Sequence, residues 1–252
     1  MPHLEFTVVK SCRVACHFCP QKTLAENYKS KERALSLDNF KLILSKVPKS
    51  VVIHFSGFSE PFLNPETPEM IRHANKKGFK VNIYSTLVGL TETGAEILRD
   101  NHPEFFRVHV SDGKAMKIAD DEWIKQHEIF LKTGIKGSYM AMGKVAPKVE
   151  SHLREKGIKY EVPEMLSRGG NLDIPTPYLE GKIYCVADRW HQNVVLPDGN
   201  VYVCCMDYGL TMPLGNLLSQ GYDEIHKKAE EYRKNDAPAD SICRKCEWAA
   251  KL

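Results

Sequence analysis

From residue 4 to about residue 165 the chain alternates short apolar runs with amphipathic stretches. The runs at residues 5–10, 51–56, 80–85, 106–111, 137–142 and 159–163 predict six strands. The stretches between them have helical spacing. In residues 37–47, for example, Phe40, Leu44 and Val47 recur on one face. Thr67-Pro68 predicts a helix start, a capping hydroxyl followed by proline in the first turn. Gly78, Gly134 and Gly157 each follow a polar or Lys-rich turn and predict left-handed caps where helices stop. Strand–helix units in series predict an α/β fold, a parallel sheet with helices outside. Six units are fewer than the eight of a closed (β/α)8 barrel.

After Gly170 the pattern changes. Residues 171–182 are Pro-rich and aperiodic, and predict a linker. Residues 193–196 and 201–204 flank Pro197-Asp198-Gly199-Asn200, a hairpin signal. A polar helix is expected at about residues 222–234. The chain therefore divides, on this reading, into residues 1–170 and a smaller region, residues 171–252.

Composition narrows the function classes. With 42% hydrophobic and 27% charged residues among 252, the chain can bury a core. Its net charge is +3, with Lys and Arg spread along the sequence, so no dedicated nucleic-acid surface is expected. Met1-Pro-His-Leu-Glu lacks the regions of a signal peptide, and no apolar stretch approaches the ~18–20 residues of a membrane span. The expectation is a cytoplasmic protein with no membrane partner. In a reducing compartment, eight cysteines read as metal ligands or reactive thiols before disulfides. Three lie at 12–19, none at 20–184 and five at 185–246, which predicts two metal sites.

The first group, Cys12, Cys16 and Cys19, stands in Ser-Cys-Arg-Val-Ala-Cys-His-Phe-Cys-Pro, just after the first predicted strand. Three thiolates can each ligate one iron of a [4Fe–4S] cluster, leaving the fourth iron for another ligand. An open metal position is a place for chemistry. The alternatives are a zinc site or free thiols; no fourth Cys or His stands nearby in zinc-finger spacing, although His17 lies inside the triplet.

This triplet resembles that of the radical S-adenosylmethionine (SAM) superfamily. The resemblance implies a SAM-binding [4Fe–4S] cluster, with the amino and carboxylate groups of SAM on its fourth iron. It also implies a partial, open (β/α)6 barrel with the active site at the C-terminal strand ends. Ser56-Gly57-Phe58-Ser59-Glu60-Pro61 resembles the family's Gly-Gly-Glu-Pro motif, although Phe58 and Ser59 depart from it. Gly57 and Glu60 are thereby implied at the amino group of SAM; a surface carboxylate in a tight turn is the plain alternative for Glu60. Ser85 and Thr86 stand where relatives have Thr-Asn-Gly, so only a hydroxyl contact carries over. Ser111-Asp112-Gly113 resembles a Ser-x-Asp-Gly segment with one residue fewer. It implies Ser111 at the ribose, with Asp112 alternatively capping a turn. Phe18 matches an aromatic beside adenine, or simply packs.

Cys185, Gly199-x4-Cys204, Gly215-Asn216-Leu217 and Cys243-x2-Cys246 follow the order of a SPASM or shortened "twitch" auxiliary-cluster domain. Cys185, Cys204, Cys243 and Cys246 make one complete thiolate set, for a second [4Fe–4S] cluster or a four-cysteine zinc site. Cys205 is left over, as a buried thiol, a substitute ligand or a hydrogen-atom donor. Size and layout resemble the twitch-type aminocyclitol (2-deoxy-scyllo-inosamine) dehydrogenases. Ser167-Arg168-Gly169-Gly170 adds to that likeness and implies Arg168 at substrate or SAM, or else a solvated arginine.

The expected activity is an oxidoreductase that dehydrogenates a secondary alcohol on a small carbohydrate or cyclitol. The auxiliary cluster takes the second electron, and a flavodoxin- or ferredoxin-type protein supplies the first. Asp207, Tyr208, His191 and Asp188 are candidates for the proton acceptor. The alternatives are epimerisation of a sugar, nucleoside or peptide with Cys205 as donor, peptide modification, and a non-enzymatic iron–sulfur carrier or zinc-binding protein.

Overall fold

The computed structural model describes residues 2–112, 116–188, 191–235 and 237–252. Five of the predicted strands form as full elements: β1 (His3–Phe6), β2 (Val52–Phe55), β3 (Val81–Ser85), β4 (Phe105–His109) and β5 (Ser138–Met140). Neighbours pair parallel in the order β5-β4-β3-β2-β1. Between them run α1 (Gln21–Asn27), α2 (Leu37–Ser45), α3 (Thr67–Lys76), α4 (Glu92–Arg99), α5 (Asp120–Leu131) and, after β5, α6 (Pro147–Glu155). The sixth predicted strand shrinks to one bridge, Glu161 beside Met140. Glu161 exchanges backbone bonds with Tyr139 and Ala141 at 3.0 and 2.9 Å. Beyond it Pro163 has no N–H to donate and Val162 is exposed, so pairing stops there.

Side chains alternate across each strand. Leu4 and Phe6, Ile53 and Phe55, Val81 and Ile83, and Phe106 and Val108 are buried in one core with Phe40, Met70, Ile71, Leu98 and Phe130 of the helices. Caps fix where the helices start. Ser36 accepts the Asn39 N–H at 3.2 Å, and Thr91 accepts that of Gly94 at 3.0 Å. The expected Thr67 cap does not form. Thr67 already lies inside α3, and its hydroxyl donates back to the Pro61 carbonyl at 2.6 Å. Gly78 ends α3 with φ +79°, a left-handed geometry in which a side chain is strained.

The C-terminal region does not sit apart from this sheet. Its elements are β6 (Ile183–Cys185), β7 (Gln192–Val195), β8 (Asn200–Tyr202), β9 (Pro213–Asn216), α7 (Tyr222–Lys234) and β10 (Ala249–Lys251). β7 pairs parallel with β1, and β8 and β9 follow antiparallel, so the predicted hairpin extends the barrel sheet to eight strands. β6 and β10 form a separate two-stranded ladder. No helix among the described residues is long and apolar enough to cross a membrane.

Candidate active site

Residues from β1 to β5 and from β7 line one cavity of about 540 Å³. A flat sheet could not bring six strands to one cavity, so the sheet is a partial barrel, open between β5 and β9. The strand faces turned inward are mostly polar, with Glu5 from β1, His54 from β2, Asn82 and Tyr84 from β3, His109 from β4 and Gln192 from β7, whereas β5 contributes the apolar Met140.

Over the C-terminal end of β1 lie Cys12, Cys16 and Cys19, all lining the cavity. Their loop closes through Cys19 N–H to the Cys16 carbonyl at 3.0 Å, with Ala15 left-handed at φ +44°. The neighbouring Cys16 thiol, the charge of Arg168 and the Tyr208 hydroxyl at 3.8 Å hold the Cys19 thiol below its usual range. The Cys19 thiol, with burial, pushes Cys16 up. Burial and the Glu60 charge push Cys12 up to about 11, and the Glu60 backbone N–H bonds to its sulfur. Three thiols in one loop fit the donor set of an iron–sulfur cluster with one open iron.

Gly57 and Glu60 form the adjoining wall. Gly57 has φ +77°, and a Cβ there would stand 2.3 Å from Thr7 Oγ1. The Glu60 carboxylate is buried and accepts four bonds. Oε1 takes Phe62 N–H at 3.1 Å and Ser85 Oγ at 2.7 Å; Oε2 takes Thr86 N–H and Thr86 Oγ1, both at 2.6 Å. Burial pushes its pKa up, and these donors oppose the shift. Its acceptor positions are spent on the protein. Glu60 thus welds the loop after β2 to the end of β3. Phe18, Ser85 and Thr86 also line the cavity.

Ser111 is fully buried and does not line it. Asp112 Oδ1 accepts the Met116 N–H at 3.1 Å, as a turn cap does, while Gly113 of the same motif lies outside the described residues.

On the cavity wall next to Cys19 are Tyr208, 3.8 Å from its sulfur, and Arg168, and Cys205 lines the same cavity. Arg168, Gly169 and Gly170 are successively left-handed, at φ +57°, +66° and +77°. This curl is held by Gly169 N–H to Glu247 at 3.2 Å and by Asn171 to the Met206 carbonyl at 3.0 Å. Burial, with Arg168 and Arg107 nearby, lowers the His109 pKa to about 4. His109 is therefore neutral at physiological pH.

Asp207 corrects an expectation. It lies outside the cavity, fully buried, and its carboxylate takes Thr211 N–H, Thr211 Oγ1 and Met212 N–H at 2.9, 3.0 and 2.8 Å. It closes the turn after Cys205 and has no oxygen to offer a substrate. His191 and Asp188 also lie away from the cavity, paired with each other at 3.6 Å. Of the four proton-acceptor candidates, Tyr208 alone reaches it.

Cys204 faces the other way from Cys205. It is buried with Val203, Met206 and Met212, against which Cys185, Cys243, Cys246, Ile242 and Trp248 pack. Burial pushes Cys204 well up, followed by the charges of Cys205, Cys243 and Cys246. It also pushes Cys246 up to about 12. Four thiols gathered in apolar surroundings fit the donor set of an iron–sulfur cluster.

Glu5, His54, Asn82, His109 and Gln192 escaped the reading of the sequence. The signal that finds them is the period of two. Glu5 and Thr7 alternate with Leu4, Phe6 and Val8, and His54 and Ser56 with Ile53 and Phe55.

Comparison with known proteins follows the same division. The profile of the radical SAM superfamily matches residues 6–144, and that of the SPASM iron–sulfur cluster-binding domain matches residues 185–247. Among solved structures, BtrN in complex with AdoMet and 2-DOIA superposes with a TM-score of 0.64 at 20% identity, covering 100% of this chain and 94% of that one. Native anSMEcpe with bound AdoMet gives 0.61 at 16% identity, covering 98% and 86%. SuiB of Streptococcus suis bound to precursor peptide SuiA gives 0.69 at 14% identity, covering 97% and 69%. A tungsten-containing aldehyde ferredoxin oxidoreductase cofactor-modifying protein of Pyrococcus furiosus is 27% identical over 95 residues. That alignment spans 36% of this chain and only 26% of the relative.

Proposed function

We propose that this chain, which belongs to the radical SAM superfamily, dehydrogenates a secondary alcohol of a small polyhydroxylated molecule such as a carbohydrate or cyclitol. Membership makes it an enzyme with a SAM-binding [4Fe–4S] cluster and a SPASM-type auxiliary iron–sulfur site, which sets aside the electron-carrier and zinc-protein readings. When bound, SAM and the clusters supply a 5′-deoxyadenosyl radical that removes a hydrogen atom and an acceptor for the remaining electron. Cys12, Cys16 and Cys19 would hold the first cluster, and Cys185, Cys204, Cys243 and Cys246 the second.

The observation that carries the substrate reading is the polar inner face of the barrel. Glu5, His54, Asn82, His109, Gln192 and Arg168 offer donors and acceptors on several sides of one cavity. A polyol can exchange hydrogen bonds with such groups, whereas an apolar side chain would take water from them and offer no donor or acceptor in return. The likeness in fold to BtrN, solved with AdoMet and 2-DOIA, supports the same class.

Dehydrogenation also releases the hydroxyl proton. Glu5 is the acceptor this reading favours: it is buried, lines the cavity and is oriented by Ser56 Oγ at 3.0 Å. His54 stands beside it on the same face, bonded to His3 at 2.6 Å and Asn82 at 3.1 Å. Burial, then the His3 charge, lowers its pKa to about 3, so it orients a hydroxyl without a charge of its own.

Epimerisation is the second reading, supported by Cys205, a thiol on the cavity wall beside Tyr208. The test is turnover by anaerobically reconstituted enzyme with SAM and a strong reductant in heavy water, against polyols, cyclitols and peptides. A two-hydrogen mass loss on a polyol supports dehydrogenation. Unchanged hydrogen count with one deuterium incorporated supports epimerisation. Turnover of peptides alone would sink both small-molecule readings.

A further inference from the structure

Away from the cavity, three metal-ligating side chains meet. His226 and Glu230 stand four residues apart on α7, hence on one face. His191 comes from the residue just before β7. One donor atom from each lies within 4.8 Å of the other two.

The distances fit coordination better than hydrogen bonding. His191 Nε2 is 3.5 Å from Glu230 Oε1 and 3.6 Å from Asp188 Oδ2. An N–H···O bond would be about 2.7–3.2 Å. Ligands about 2.0–2.1 Å from a tetrahedral zinc ion stand roughly 3.4 Å apart.

A second observation points the same way. His226 Nδ1 is buried and has no hydrogen-bond partner among the described residues, an unusual state for a buried polar atom. The His226 ring is fixed by stacking on Tyr222, centroids 5.8 Å apart at 11°, and faces the His191 ring at 5.7 Å. Arg233 holds Glu230 Oε2 through Nε at 3.1 Å and Nη2 at 3.0 Å, leaving Oε1 turned to His191.

We propose that His191, His226 and Glu230 form a zinc site, with Asp188 or water at a further position. Two imidazole nitrogens and a carboxylate oxygen are ligands that Zn²⁺ takes, and they share no residue with the cysteine sites. The ion ties α7 to the start of β7, whose first residue, Gln192, lines the cavity.

The test uses the full chain with its clusters loaded, dialysed anaerobically against micromolar Zn²⁺ and assayed for zinc and iron together. Wild type retains about one zinc ion per chain more than His226→Gln, Glu230→Gln or His191→Gln, at equal iron. Added zinc also raises the unfolding temperature of wild type and not of the variants, because a ligand that binds only the folded state stabilises it. His191→Gln changes a different element from the α7 variants, so agreement among the three excludes a folding defect of one helix. Equal zinc in wild type and all three variants overturns the proposal. So does zinc uptake matched by loss of iron, which would place the ion on the cysteines.

Discussion

Cys204 and Cys205 are neighbours in sequence and face two different sites. Cys204 is buried among Met206, Met212 and the three other C-terminal nest cysteines, whereas Cys205 lines the cavity with Arg168, Tyr208 and the N-terminal triplet. One peptide unit therefore separates the two proposed metal environments. The Asp207 carboxylate fixes this split by closing the turn that follows.

Iron content should separate the two thiols. Cys204→Ser should lower bound iron from about eight to about four per chain, the loss of one [4Fe–4S] cluster. Cys205→Ser should keep both clusters. Iron and sulfide analysis with electron paramagnetic resonance reads the difference, and equal loss from both variants would refute the assignment of Cys204 alone.

Substitution of Glu5 tests the proton acceptor. Glu5→Gln keeps an oxygen for the Ser56 hydroxyl and loses the basic group. General bases contribute about 10²–10⁴-fold, so product formation should fall at least about 100-fold. SAM affinity, measured on the same protein, should stay within a factor of about two to three, since the triplet loop is untouched. Unchanged turnover would remove Glu5 from the mechanism.

Gly57→Ala should damage the cavity wall proposed to meet SAM, and the fold with it. The residue is left-handed, and the new Cβ would collide with Thr7 Oγ1, which accepts the Phe58 N–H at 3.0 Å. Strain of this kind costs about 1–3 kcal/mol. Denaturant unfolding should show that loss, with weaker SAM binding; wild-type stability would mean that the loop relaxes freely.

Acid should weaken the fold through His127, which does not line the cavity. His127 is fully buried, bonded to His152 at 2.8 Å and Tyr139 at 2.9 Å, and stacked on Trp123. Burial, then the His152 charge, lowers its pKa from 6.5 to about 4. Above pH 6.5 it is neutral folded and unfolded, and its contribution is complete. As pH falls from 6.5 to about 4, only the unfolded chain takes up the proton. Stability should then drop by about 1.4 kcal/mol per pH unit from this group and level off below pH 4. Thermal unfolding across that range should show a shallower slope in His127→Gln; an identical slope would exclude His127 as its source.

Much of the chemistry was legible in the sequence because it is local. Cys-x3-Cys-x2-Cys brings three thiols into one loop whatever surrounds it, and a period of two or 3.6 records which face of an element is buried. The strands up to β5, α7 and the β7–β8 hairpin followed from such patterns. The sixth strand did not, because one proline and an exposed edge outweigh a short β-rich run. β6 and β10 are three residues each, too short to have a period, and exist only through their pairing with each other.

What tertiary structure alone decided is which side chains meet. By itself the sequence determined two groups of thiols, the strand–helix alternation and the hairpin, all fixed by near neighbours. Parallel pairing of β7 with β1 carried the hairpin into the barrel sheet and set Gln192 opposite His3, lining the same cavity as Glu5 and His54. The turn after β8 sent Cys205 inward and withdrew Asp207 from any substrate. Packing of α7 beside the start of β7 joined His226 and Glu230 to His191. Contacts between residues far apart in the chain depend on register and burial over the whole fold, which no local window of sequence contains.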